Sequence, residues 1–93
     1  MKYKKDTNHN AIAYLFQSYG YIVIDTSWSR GKLLDFIAYK RTGEVWFVEV
    51  KNGAKKKLTD DEMLFFSNHP ERSISIHSTD EARSVLAHIE ARF

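Results

Sequence analysis

Leu33-Leu34-Asp35-Phe36-Ile37-Ala38-Tyr39-Lys40, then Arg41-Thr42-Gly43-Glu44, then Val45-Trp46-Phe47-Val48-Glu49-Val50-Lys51 is the stretch that decides the fold. Two runs rich in β-branched and aromatic residues flank a short polar turn, the pattern of an antiparallel hairpin. Side chains alternate between the two faces of a strand. Glu49 and Lys51 therefore project to one side while Val48 and Val50 pack on the other. Hairpin pairing brings Asp35, at the start of its strand, near the end of the partner that carries Glu49 and Lys51. Charges inside such apolar runs are costly unless they are paired or bound to metal, so these three need a reason to be there.

One reason is a metal centre. Two carboxylates and an ammonium are the residue set that holds a divalent cation against a phosphodiester. Hard oxygen ligands suit Mg²⁺ or Mn²⁺, which keep several waters and bind through one or two carboxylates plus substrate phosphate. Lys51 would then orient the attacking water or neutralise the developing oxyanion. The other reason is a structural salt-bridge cluster of Asp35 and Glu49 with Lys51 at a sheet end. Residue types alone leave both readings open.

Outward from the hairpin, the chain reads as a single α/β domain over residues 1–93 in the order α-β-β-β-α-β-α. Asp6 or Thr7 caps a first helix in which Ile12, Leu15, Phe16 and Tyr19 form one apolar stripe, and Gly20 ends it. Residues 21–26 form a strand. Residues 33–40 and 45–51 form the hairpin. Thr59-Asp60-Asp61-Glu62 has the form of a capping box and opens a second helix that must stop before Pro70. Residues 73–77 alternate polar and apolar as a half-exposed strand. Ser78-Thr79-Asp80-Glu81 is a second capping box, and the helix after it carries Ala82, Val85, Leu86 and Ile89 on one face.

Composition narrows the function classes. The 93 residues carry 14 Lys and Arg against 12 Asp and Glu, a net charge of only +2. The positive charge is clustered, however, at Lys2, Lys4 and Lys5, at Arg30 and Lys32, and at Lys55-Lys56-Lys57. Clusters flanking an acidic site in sequence suit a polyanionic partner. There is no cysteine, which excludes disulfides and thiolate metal sites. No apolar run approaches the roughly 20 residues of a membrane span, and the N-terminus lacks the apolar stretch of a signal peptide. A soluble, cytoplasmic protein without membrane partners is expected. No His-x-x-x-His spacing points to zinc, and Gly31 and Gly53 lie in no phosphate-cradling pattern.

Asp35 with Glu49-Val50-Lys51 resembles the motif of the PD-(D/E)XK nuclease superfamily, in particular its small stand-alone VRR-NUC and Holliday-junction-resolvase-like members of phages and bacteria. The pieces that carry the resemblance run over most of the chain: Asp6-Thr7-Asn8-His9, Tyr19-Gly20-Tyr21, Gly31 before Leu34-Asp35, Glu49-Val50-Lys51-Asn52-Gly53, Leu58-Thr59-Asp60-Asp61-Glu62, and Ser78-Thr79-Asp80-Glu81-Ala82. The resemblance implies a restriction-endonuclease-like core, a mixed sheet flanked by helices, and metal-dependent cleavage of DNA in a bacterial cell or phage-infected host, in repair or recombination. It makes Asp35 and Glu49 metal ligands with the Val50 carbonyl as a third, and Lys51 the catalytic lysine. Asn8 and His9 match the polar pair on the first helix that faces the site. The chain departs from the family in having Leu34 where proline usually precedes the acid, and Glu62 where glutamine is common. Glu62 is thus either a further site acid or only the closing residue of its capping box.

The resulting expectation is a Mg²⁺- or Mn²⁺-dependent DNA endonuclease selective for branched, flap or junction structures. Arg30, Lys32, Lys55, Lys56 and Lys57 would contact phosphates, and Trp28 would stack on a base or instead cover the core edge. A homodimer, with an apolar stripe at Trp46 or Phe65-Phe66, would present two sites to a branched substrate. RNA is served by the same chemistry. The competing expectation is a nuclease-fold module of weak or lost activity that binds nucleic acid or a protein partner.

Overall fold

The computed structural model describes residues 8–28, 34–51 and 57–92. Seven elements follow in the expected order: α1 (His9–Ser18), β1 (Ile22–Asp25), β2 (Phe36–Tyr39), β3 (Val45–Val50), α2 (Asp60–Asn68), β4 (Ser73–Ile76) and α3 (Thr79–Ala91). The strands form one mixed sheet in the order β1-β2-β3-β4. The first two pairings are antiparallel, and β4 joins β3 in parallel after the α2 crossover. Lys40 N donates to the Glu44 carbonyl to close the β2–β3 turn. Gly43 sits there at φ 99°, a backbone region that side chains rarely adopt.

Alternation along β3 divides the molecule into layers. Trp46, Val48 and Val50 face α1 and α3, joining Ile12, Phe16, Phe36, Ala38, Ile76, Ala82, Leu86 and Ile89 in the core. Phe16 stands edge-on to both Tyr21 and Phe36. The opposite side of β3 carries Phe47, which packs edge-on against Phe65 of α2. The sheet thus has α1 and α3 on one face and α2 on the other, and Glu49 and Lys51 point toward α2.

Three local expectations change. The described α1 starts at His9 with Asn8 as its N-cap, while Asp6 and Thr7 lie outside the described residues. Asn8 makes no side-chain cap bond; its amide nitrogen donates to the His77 carbonyl at 3.3 Å. In the box before α3, Ser78 accepts from the Glu81 amide, but Glu81 reaches past it to the His77 amide at 2.8 Å. Trp46 is no surface stripe. It is buried at 8% exposure, with its indole N–H donating to Glu44 at 2.6 Å. Phe65 and Phe66 are half-buried, and among the described residues the large exposed apolar side chains are instead Ile22, Ile24, Met63, Leu64, Tyr14 and Trp28.

The Trp46 cluster closes the end of the sheet remote from Asp35. Tyr21 also donates to Glu44, Lys40 lies 4.6 Å from the centre of the Tyr21 ring and Arg72 lies 5.2 Å from that of Trp46. Burial, with the bond to Glu44, pushes the Tyr21 hydroxyl up. Burial also opposes ionisation of Glu44, but its bonds from Tyr21 and Trp46 outweigh that and hold its carboxyl below the ordinary range.

Phe16 is fully buried where α1 meets the sheet. Phe16→Ala should cost about 3–5 kcal/mol, a large part of the roughly 5–15 kcal/mol typical of a whole domain. A urea titration should show a lower midpoint with an unchanged slope.

Candidate active site

The site forms where β2 begins and β3 ends. Phe36 pairs with Val48, so the next step of the register sets Asp35 opposite Glu49. Asp35 lies just before β2 and is held from both sides. Its amide donates to the Val48 carbonyl at 3.1 Å and its carbonyl accepts from the Thr26 amide at 3.0 Å. Its side chain is pinned as well, Oδ2 accepting from the Val50 amide at 2.7 Å. A charge-assisted bond of that length fixes the rotamer. Asp35 is 3% exposed and Glu49 is 1% exposed.

Lys51 continues β3, its amide donating to the Ile76 carbonyl at 2.9 Å. Its Nζ stands 3.5 Å from Glu49 Oε2 and 2.9 Å from Glu62 Oε1. The ammonium therefore pairs with Glu49 and Glu62, not Asp35. Burial disfavours its charge, but the bond to Glu62 and the field of Glu49 prevail and its pKa is raised.

Glu62 closes its capping box and also meets Lys51. The capping box of α2 is complete, with Thr59 Oγ1 accepting from the Glu62 amide at 3.2 Å and Glu62 Oε1 accepting from the Thr59 amide at 2.8 Å. The same carboxyl oxygen holds Lys51. Burial pushes the Glu62 carboxyl up, yet the neighbouring Glu49 carboxyl, the Thr59 amide and the Lys51 ammonium more than offset it and bring it down to about 2. One carboxyl thus closes the helix cap and pairs with Lys51.

His9 of α1 reaches the other side of Asp35, its Nδ1 lying 3.6 Å from Asp35 Oδ1. Asn8 does not share this role, since its amide is turned to His77. Trp28 is 73% exposed, and its indole N–H donates to the Asp25 carbonyl at 2.7 Å, which holds the ring on the surface beside the end of β1. Lys57 is exposed; Arg30, Lys32, Lys55 and Lys56 lie outside the described residues.

Sequence reading missed Asp25. Its Oδ2 lies 3.6 Å from His9 Nε2, while Oδ1 accepts from the Ser27 amide at 2.9 Å and the Ser27 hydroxyl at 2.6 Å. The available signal was an acid ending the apolar run Tyr21-Ile22-Val23-Ile24, the same kind of interruption that marks Asp35 and Glu49.

The donor set fits a hard divalent ion. Three nearly buried carboxyls, Asp35, Glu49 and Glu62, share this end of the sheet with Lys51. Among the described residues no three His, Asp or Glu side chains converge on one point, so an ion held here would complete its shell with water or other ligands, as Mg²⁺ commonly does.

The architecture is a four-stranded mixed sheet between helices, with acids meeting at the open end of its central hairpin. A solved structure described as a VRR_NUC domain matches it at TM-score 0.74 and 20% identity, over 89% of this chain and 95% of that chain. This chain therefore has the VRR_NUC fold. No protein-family model matches the sequence, and no curated protein matches it.

The Glu62 carboxyl titrates lower in the folded chain, about 2, than its ordinary 4.5. Its ionised form thus stabilises the fold above pH about 4.5, and that contribution is lost as the pH falls toward about 2. Glu62→Gln keeps an acceptor for the Thr59 amide but removes the charge. The stability gap between parent and variant should be widest at neutral pH and close in acid, measured by denaturant midpoints across pH.

Proposed function

We propose that this protein is a divalent-metal-dependent nuclease that hydrolyses phosphodiester bonds of DNA, preferring branched, flap or junction structures. The observation that carries the reading is the meeting of Asp35, Glu49 and Lys51 on a VRR_NUC fold, with Lys51 Nζ 3.5 Å from Glu49. Asp35 and Glu49 would hold Mg²⁺ or Mn²⁺, with the Val50 carbonyl beside them.

A bound ion supplies Lewis acidity toward a phosphoryl oxygen and lowers the pKa of a coordinated water. The chain's own residues do the rest. The Val50 amide keeps Asp35 in one rotamer, so its carboxylate is organised before substrate arrives. Lys51 stays an ammonium between Glu49 and Glu62, which suits it to orient a water and offset the charge that builds on phosphorus oxygens, and not to remove a proton. Glu62 anchors that ammonium to the start of α2. Lys57, with Arg30, Lys32, Lys55 and Lys56, supplies phosphate contacts, and Trp28 offers an aromatic face at the rim. A homodimer would present two such sites to the two strands of a junction. RNA remains within reach of the same chemistry.

Labelled single-stranded, duplex, flap and four-way-junction DNA, and an RNA counterpart, incubated with Mg²⁺, Mn²⁺ or EDTA, test the reading. Metal-dependent products are expected, greatest on branched DNA. Asp35→Ala and Glu49→Ala should abolish them while leaving the fold intact by circular dichroism. Lys51→Ala should keep metal binding and lower the rate by roughly 100- to 1000-fold. Salt-sensitive binding without products in either metal would establish the binding-module alternative instead.

A further inference from the structure

β1 is an edge of the sheet, with β2 as its neighbour on one side. Just past its end, the Thr26 amide donates to the Asp35 carbonyl at 3.0 Å. In an antiparallel pair the backbone groups of alternate residues turn to the partner strand. Ile24 and Ile22 therefore turn theirs toward β2, opposite Ile37 and Tyr39, and Val23 turns its N–H and C=O to the open edge. Trp28 agrees with this phase, for its indole N–H donates at 2.7 Å to the carbonyl of Asp25, the next residue to face that edge. Among the described residues no hydrogen bond reaches the amide or the carbonyl of Val23.

The side chains of β1 alternate as well. Val23 packs on the core, while Ile22 and Ile24 face the other way and are 42% and 48% exposed. The helix on that face, α2, sits over Phe47 of β3, two strands away from them. Ile37 and Tyr39 stand half-buried beside the two isoleucines, so the apolar surface runs on into the sheet. Edge strands of soluble proteins are commonly guarded by lysine, proline or a bulge. Ile22-Val23-Ile24 carries neither lysine nor proline, and its pairing with β2 is regular.

Two features name what covers this edge. An open N–H and C=O on one residue, between two outward isoleucines, call for an extended strand and not for a helix. The segment is also symmetric about Val23. A second copy turned by a two-fold axis satisfies it, for Val23 then exchanges both bonds with Val23 of that copy while Ile22 falls opposite its Ile24. No cation lies among these three residues, so the edge does not suit a polyanion.

We propose that β1 pairs antiparallel with β1 of a second copy through Ile22-Val23-Ile24, joining the two sheets into one of eight strands. This surface takes the place of the Trp46 and Phe65-Phe66 stripes expected from the sequence. It rests on the homodimer of the proposed function and gives it an interface, but it does not depend on cleavage. Antiparallel pairing sends the two Asp35 ends in opposite directions, so the candidate sites lie at opposite ends of the joined sheet.

The test uses the full chain. Sedimentation equilibrium should show a monomer–dimer equilibrium. Ile22→Lys/Ile24→Lys sets like charges directly opposite one another across the junction and should weaken the dimer at least roughly 10-fold, with circular dichroism unchanged because both positions are exposed. The chain has no cysteine, so introduced thiols read the register. Positions 22 and 24 of opposite copies form a non-hydrogen-bonded pair with Cα atoms about 4.5 Å apart, within disulfide reach, whereas like positions are about 8 Å apart and beyond it. Oxidising a mixture of Ile22→Cys and Ile24→Cys should therefore give the mixed disulfide, and each variant alone far less. A parent that stays monomeric up to about 1 mM, as it would if the edge takes a strand of another protein, overturns the proposal. So does a dimer indifferent to the double substitution. If that variant does not fold, the disulfides decide, and like-with-like products as abundant as mixed ones overturn it. A dimer of this register in a chain that cuts nothing would uphold the interface and sink the nuclease reading. Metal-dependent cleavage by a strictly monomeric chain would do the reverse.

Discussion

The bond from the Val50 amide to Asp35 Oδ2, at 2.7 Å, is the constraint on which this end of the molecule depends. It crosses the β2–β3 pair just where the regular ladder stops, and it ties the side chain of one strand to the backbone of the other. With it formed, Asp35 cannot turn toward solvent, and Glu49 stands opposite in a fixed register. The antiparallel hairpin supplies the register and the core face of β3 supplies the force behind it, because Val48 and Val50 are fully or almost fully buried. A slip of one residue would send Glu49 and Lys51 into that core and Val50 out of it.

Around this bond the site recruits elements that are distant in sequence. The start of α2 contributes Glu62, whose carboxyl oxygen is shared between the Thr59 amide and the Lys51 ammonium. The start of α1 contributes His9, and the end of β1 contributes Asp25. Two helix N-termini and three strand ends thus meet at one edge. Such ends bring polar groups that need partners, and here they find them in one another. The opposite end of the sheet uses a different device. Tyr21, Glu44 and Trp46 form a closed hydrogen-bonded set capped by Lys40 and Arg72, which seals the core there.

The charge state of Lys51 follows from its surroundings. Two carboxyls within 3.5 Å favour its charged form and hold it in place. Glutamine at position 62 would hold the same ammonium less firmly, and glutamate makes the helix cap and the lysine parts of one electrostatic unit.

The amino-acid sequence by itself determined the alternating faces of β3, the apolar stripes of α1 and α3, the α2 capping box, and the grouping of Asp35, Glu49 and Lys51. These are local matters: period, turn chemistry and a single hairpin suffice for them. Tertiary structure decided the rest. His9 was expected from the resemblance, whereas Asp25 joins it only because β1 pairs with β2 and α1 packs on Phe36, contacts that no spacing in the chain encodes. Glu62 closes its cap as the capping box required, and it also reaches Lys51 because α2 lies against the outer face of β3. Trp46 read as part of an exposed stripe, yet it shares its strand face with Val48 and Val50, and which face is covered is a tertiary matter. The covering helices made that choice, and with it they left Glu49 and Lys51 on the side that faces α2.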